Sequence, residues 1–197
     1  MTSLTVDALL DAAEVEFASS GIETGSLRKI MRQAGADPGA VHYHFGGRDA
    51  LAAAVLDRIL VPLNARRLDL LGEALVCDRP TLCELVEALI RPDVEAAHAL
   101  HAQSSGRARL IGAIYAHPGD FVAATVAVHF RPVADAFRPH LEAALPHIAF
   151  SDIAWRIRWC VFGTLGALLT DESAPFQRPA HDLTHELVRT LAAAMSA

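Results

Sequence analysis

The sequence predicts an all-α fold of about nine helices. Three observations carry this. Apolar residues recur at helical spacing along nearly the whole chain, and no stretch alternates with the period of a strand. Gly and Pro punctuate those stretches at intervals that suit helices. The hydrophobic fraction is 52% over 197 residues, enough for one good core or for a small domain fused to a larger one, with most helices buried on more than one face.

The first helix runs from about Thr5 to Ser19. Val6, Leu9, Leu10, Ala13 and Phe17 form its apolar face, and Gly21 is placed to end it. A short second helix covers Leu27 to Ala34 with Ser26 as N-cap. Gly35 breaks the chain. A third helix starts with Asp37 as N-cap and Pro38 at its first position, and Gly46-Gly47 stop it after His44. A fourth helix begins near Arg48, and Pro62 is expected to kink or interrupt it. Further helices are expected near Ala65–Val76, Thr81–Ala102, Arg107–Ala116, Asp120–Ala144, Ser151–Thr170 and Ala180–Met195, with Pro92, Pro132 and Pro139 each kinking or splitting its segment. The division that follows is a compact unit at 1–48 and a larger helical body at 49–197, joined through the fourth helix without a Gly/Ser linker.

Composition narrows the function. A net charge of −6 argues against nonspecific coating of nucleic acid or membrane. A local basic patch remains open, because phosphate contacts depend on where the arginines sit. Cys77, Cys83 and Cys160 are an odd set without C-x-x-C spacing, which reads as thiols in a reducing compartment rather than a disulfide framework or zinc ribbon. No signal peptide opens the chain, and its most apolar stretch carries Arg156 and Arg158, so a soluble, cytoplasmic protein without a membrane partner is expected. Ser26 to Lys29 matches S-x-x-K, but the accompanying motifs of acyl-transfer enzymes are missing, and no G-x-G-x-x-G, H-E-x-x-H or P-loop occurs. No catalytic centre, cofactor or metal site is expected. His98 and His101, three residues apart, suit a hydrogen-bonded pair better than a chelate.

The short helices are the informative part. Helix two, a tight turn and helix three form a helix-turn-helix, whose second helix enters the major groove of DNA. Gly39 and Ala40 are small enough for close approach. His42, Tyr43 and His44 can meet bases or phosphates without adding net charge, although Tyr43 reads equally well as core. Phe45 reads as core beside Phe17. Ser26, Arg28 and Lys29 can clamp the backbone, and the helix start at Arg48 can hold one more phosphate.

The run from Leu9 to Leu51 resembles the N-terminal domain of the tetracycline-repressor family. The resemblance rests on A-A-x-x-x-F-x-x-x-G at Ala12 to Gly21, S-x-R-x-I at Ser26 to Ile30, A-G at Ala34-Gly35, and Y-H-F-G-x-[KR]-x-x-L at Tyr43 to Leu51. Departures are His42 where many members have Tyr, Arg48 where Lys is common, and Asp37 where Ser or Thr is common. The resemblance implies an all-helical homodimer that binds double-stranded operator DNA and is released by a small molecule held in its larger domain. Two shorter stretches, NARRLDLL and IAWRIRWCVFGTLGALL, are similar to the PsrA-type, fatty-acid-responsive branch.

The segment Ile153–Leu169 is apolar nearly all round, so it needs cover on two sides. A fully buried helix within one chain would satisfy this. With the last helix it would instead build a four-helix dimer interface, using Ile157, Val161, Leu165, Leu168, Leu183, Leu187 and Leu191. A twofold dimer would match a palindromic operator. An effector pocket is expected between the middle helices. Leu60, Leu89, Leu110, Ile114, Phe121, Val126 and Phe130 are its apolar candidates, each of which also reads as ordinary core. Arg91, His98, Tyr115 and His129 are its polar candidates. Few buried acid–base pairs are expected, so the effector should be mostly apolar. The competing class is a dimeric small-molecule-binding helical protein without specific DNA binding.

Overall fold

In α1 (Thr2–Ser20), Leu9, Ala12, Ala13 and Phe17 turn inward. The helix stops at Gly21, whose N–H donates to the Phe17 carbonyl at 2.9 Å. The computed structural model describes residues 2–76, 79–102, 110–114, 119–158 and 179–196, and among them every regular element is a helix. Helix α2 (Leu27–Gln33) is capped as its sequence suggests, with the Ser26 hydroxyl accepting from the Lys29 N–H at 3.4 Å.

Helix α3 spans Ala40–Phe45, later than expected. Asp37 does not cap it. Its carbonyl accepts from the Ala40 N–H at 2.9 Å in a turn, and Gly39 takes the cap position. Proline at 38 thus opens the turn instead of the helix. At the other end Gly46 has φ +85°, a left-handed conformation that glycine adopts without steric cost.

Helix α4 is one continuous element, Arg48–Ala74, where a break at Pro62 was expected. Pro62 is exposed, and Ile59, Leu60 and Leu63 on either side of it are buried. Packing on both flanks therefore carries the helix past the missing hydrogen bond without an interruption. The same holds for Pro92 within α5 (Leu82–Ala102) and for Pro132 and Pro139 within α6 (Asp120–Ala144). Helix α5 opens with a capping box: Glu84 accepts from the Thr81 N–H at 2.7 Å and from its hydroxyl at 2.8 Å. Those two bonds hold the Glu84 carboxyl below its ordinary range. Helices α7 (Phe150–Ile157) and α8 (Ala180–Ser196) complete the described set, with a helical segment at 110–114.

Helix α2 packs on α1 and α3, and α1 and α3 pack on α4. The remainder of α4 packs on α5 and α6, and α8 lies along α5. One helix of 27 residues, about 40 Å long, thus belongs to both units. A buried polar node pins it. The Arg67 guanidinium pairs with Asp93 and donates to the Leu89 carbonyl at 2.9 Å and to Asn64 Oδ1 at 2.6 Å. Asn64 in turn donates to the His129 carbonyl at 2.9 Å. Arg67 and Asp93 are each 1% exposed, so the larger domain contains a buried acid–base pair that the sequence did not single out. It is tolerable because the charges are paired and hydrogen-bonded.

Candidate nucleic-acid interface and ligand cleft

The loop between α1 and α2 sets the short helices. Glu16 is almost wholly buried, yet its carboxylate accepts from the Ser26 N–H at 2.9 Å and lies 3.6 Å from Lys29 Nζ. The Ser26 bond, helped by Ser20 and Lys29, holds the Glu16 carboxyl below its ordinary range against the opposing effect of burial. Gly25 must be small, because a Cβ there would stand 2.7 Å from the Phe17 ring. Arg48 closes the loop from the far side. Its guanidinium donates to the Gly25 carbonyl at 2.6 Å and the Ile22 carbonyl at 2.8 Å, and sits 6.0 Å from the centre of the Phe17 ring. From the sequence, Arg48 was expected at DNA through the amides of the helix start. Its side chain turns inward, where two carbonyls and a ring face satisfy it, and the helix start at that position is left for a phosphate.

On the outer side, Arg28, Lys29, Gly39 and His42 are exposed, Ser26 and His44 are half-buried, and Tyr43 is 82% exposed. The Tyr43 and His44 rings meet edge to face at 4.9 Å. Ala40 departs from this set: it is mostly buried and seats α3 on the core. Phe45 packs against the core as expected. Arg32, which the sequence did not single out, is also exposed on α2, one turn beyond Arg28. The surface is a cluster of cations beside an aromatic/imidazole ridge, chemistry suited to phosphate and base edges.

The second feature is a cleft of about 390 Å³ between α5, α6 and α7. Leu89, Val126 and Phe130, three of the expected residues, line it together with Phe137, Leu141, Phe150 and Trp155. Ile157 lines it too, and is buried rather than offered to a partner. The other apolar candidates lie elsewhere. Leu60, Leu110 and Ile114 are plain core, and Phe121 is half-buried near the start of α6. Among the polar candidates, Arg91 pairs on the surface with Glu95 at 2.8 Å and Glu87 at 3.6 Å. His129 Nε2 lies 2.7 Å from Asp57 Oδ1, tying α6 to α4. His98 is half-buried on α5 and does not line the cleft. Tyr115 lies outside the described residues. Among the described residues no group of three or more side chains is arranged to hold a metal, and no helix is long and apolar enough to cross a membrane.

Residues 9–55 match the model of bacterial regulatory proteins of the tetR family, and residues 87–197 match that of the tetracyclin repressor-like C-terminal domain. The chain belongs to the tetracycline-repressor family. Members are transcriptional regulators that bind DNA as dimers and respond to small molecules. Among solved structures, the chain is similar to the fatty acid degradation regulator FadR of Bacillus halodurans (14% identity, 95% of this chain and 94% of that one, TM-score 0.68). It is similar also to NalD of Pseudomonas aeruginosa, the secondary repressor of the MexAB-OprM multidrug efflux pump (18%, 98% of each chain, 0.68), and to GusR of Salmonella enterica (19%, 98% and 96%, 0.61). At these identities the likeness establishes the shared fold. No curated protein matches the chain.

Within this tetracycline-repressor fold the stripe on the last helix departs from expectation. Leu183 and Leu191 are buried and Leu187 half-buried while α8 packs along α5 of the same chain. The single chain already covers Leu183 and Leu191 of the stripe that was assigned to a partner. Val161, Leu165 and Leu168 lie outside the described residues.

Proposed function

We propose that this regulator is a homodimeric repressor of a palindromic operator, released by a mostly apolar small molecule. In this reading residues 1–48 hold the DNA and residues 49–197 hold the effector and the partner chain. Ser26, Arg28 and Lys29 clamp phosphates, Gly39 lets the backbone approach, and His42, Tyr43 and His44 meet the major groove. The observation that carries the reading is Tyr43, an aromatic ring left 82% exposed at the middle of the second helix of a helix-turn-helix. The effector reading is supported by the apolar cleft, and the class served by the PsrA-type branch, fatty acids and similarly apolar metabolites, suits its lining. Occupancy of the cleft would shift α6 against α4, whose first turn abuts α3. That shift would swing the two copies of α3 apart, and a preference of the effector for the wider-spaced dimer of about 1–3 kcal/mol would weaken DNA binding roughly 5- to 150-fold.

The test is selection of binding sites from random DNA, followed by titration of the selected duplex at several salt concentrations. A palindromic consensus with a steep fall of affinity as salt rises is the expected result. Absence of any enriched sequence would favour a dimeric binding protein with no DNA role.

A further inference from the structure

Two arginines line the cleft, one from α6 and one from the end of α7. Arg131 on α6 and Arg158 just beyond α7 both line it and both are exposed. Neither makes an ion pair or side-chain hydrogen bond with any of the described residues. Their neighbours show the contrast. Arg138, also on α6, lies 3.4 Å from Asp135 and stacks 4.1 Å from the centre of the Phe150 ring.

That stacking fixes the start of α7 beside position 138 of α6, and the five-residue connection, 145–149, has the length that joins antiparallel neighbours. From Phe150, Arg158 lies about two turns along α7, and from Arg138, Arg131 lies about two turns back along α6. The two guanidiniums therefore stand at the same end of the cleft, away from the connection. Leu141 and Phe150 stand at the opposite, apolar end. Ala127, Ala134 and Ala154 line the cleft with methyl groups only, which leaves its length open.

We propose that the cleft takes an amphiphilic anion. Its carboxylate sits between Arg131 and Arg158, and its unbranched tail of about two helical turns' length, about 11 Å, runs toward Leu141 and Phe150. This rests on the effector reading above and deepens it, selecting a free acid over a neutral compound or a bulky thioester. Guanidinium is suited to the role because its fork matches a carboxylate in two parallel bonds. The tail supplies burial, and the two arginines supply orientation.

The test is direct binding to the full chain by calorimetry, without DNA. The probes are decanoate, decanol, decyltrimethylammonium and the decanoyl thioester of coenzyme A. Decanoate is expected to bind about tenfold or more tighter than decanol, the margin of a charge-assisted hydrogen bond, and the ammonium not at all. Arg131→Gln with Arg158→Gln should erase the margin while leaving decanol binding unchanged, and the double lysine variant should restore part of it. Both positions are exposed, so thermal melts of the variants should match the parent. Decanoate should also change Trp155 emission, and Trp155→Phe should remove that change. Equal binding of decanol and decanoate, or a margin that survives the double glutamine variant, overturns the anion assignment and leaves the apolar-effector reading standing. Binding of the thioester in place of the free acid likewise overturns it. Failure of every probe to bind overturns both.

Discussion

Tyr43 leaves 82% of its surface to solvent on a six-residue helix, so burial does not account for it. His42 beside it is exposed as well. Replacing both with alanine should change thermal stability by little, since exposed substitutions usually fall within about 0.5 kcal/mol. Affinity for the selected operator should drop by about 1–3 kcal/mol for each side chain that no longer reaches a base or phosphate. An anisotropy titration decides it: undiminished operator affinity would remove α3 from the reading role. Glu16 works from beneath. Its carboxyl lies below the ordinary range because the Ser26 N–H binds the charged form. A depressed folded-state pKa stabilises the fold at pH values above the unfolded-state pKa, about 4.3. That stabilisation is lost as pH falls through the folded-state value. Glu16→Gln should therefore be less stable than the parent at neutral pH, with the gap closing as pH falls below about 4. Urea unfolding across that range measures the gap, and a gap independent of pH would show that the charge of Glu16 plays no part.

At the scale of elements, α4 joins the two units, and the Arg67–Asp93 pair is its most buried attachment. Asp93→Ala would strand a guanidinium that is 1% exposed, at a cost of about 3–5 kcal/mol. Denaturant unfolding should show that loss, and a change below about 1 kcal/mol would mean that water reaches Arg67. The pair was not legible in the sequence. Arg67 and Asp93 lie 26 residues apart on different helices, and a charged residue on an amphipathic helix ordinarily reads as solvated. An interruption at Pro62 did not follow for a related reason: local preference there is outweighed by packing on both sides, which no window of sequence contains. The short helices were legible because their signals are local. Ser26 caps what it was expected to cap, and Gly46 ends α3. The cleft was legible only in part. Leu89, Val126 and Phe130 share apolar spacing with Leu60 and Leu110, and what separates lining from core is the packing of α7 against α6.

At the scale of the whole molecule, operator recognition depends on the distance between two copies of α3. Two half-sites one helical turn apart need reading helices roughly 34–36 Å apart, and only a rigid twofold dimer can hold that spacing. The burial of Leu183 and Leu191 against the same chain's α5 narrows where the partner docks. In the proposed repressor the stretch 153–169, with Leu165 among its apolar positions, is then the main source of dimer contact. Leu165→Arg would place an unpaired charge in that contact, at a cost of several kcal/mol. Sedimentation should find monomer where the parent is dimer. Binding to a palindromic duplex should fall to the level of an isolated half-site, since the effective concentration supplied by the second reading head is gone. Binding to a half-site duplex should stay as in the parent, because residues 1–48 are untouched. That pairing of results separates a broken dimer from a broken fold. A Leu165→Arg protein that sediments as a dimer of normal stability would place the partner's docking face elsewhere, on the exposed polar side of α8 that carries His185, Glu186 and Arg189.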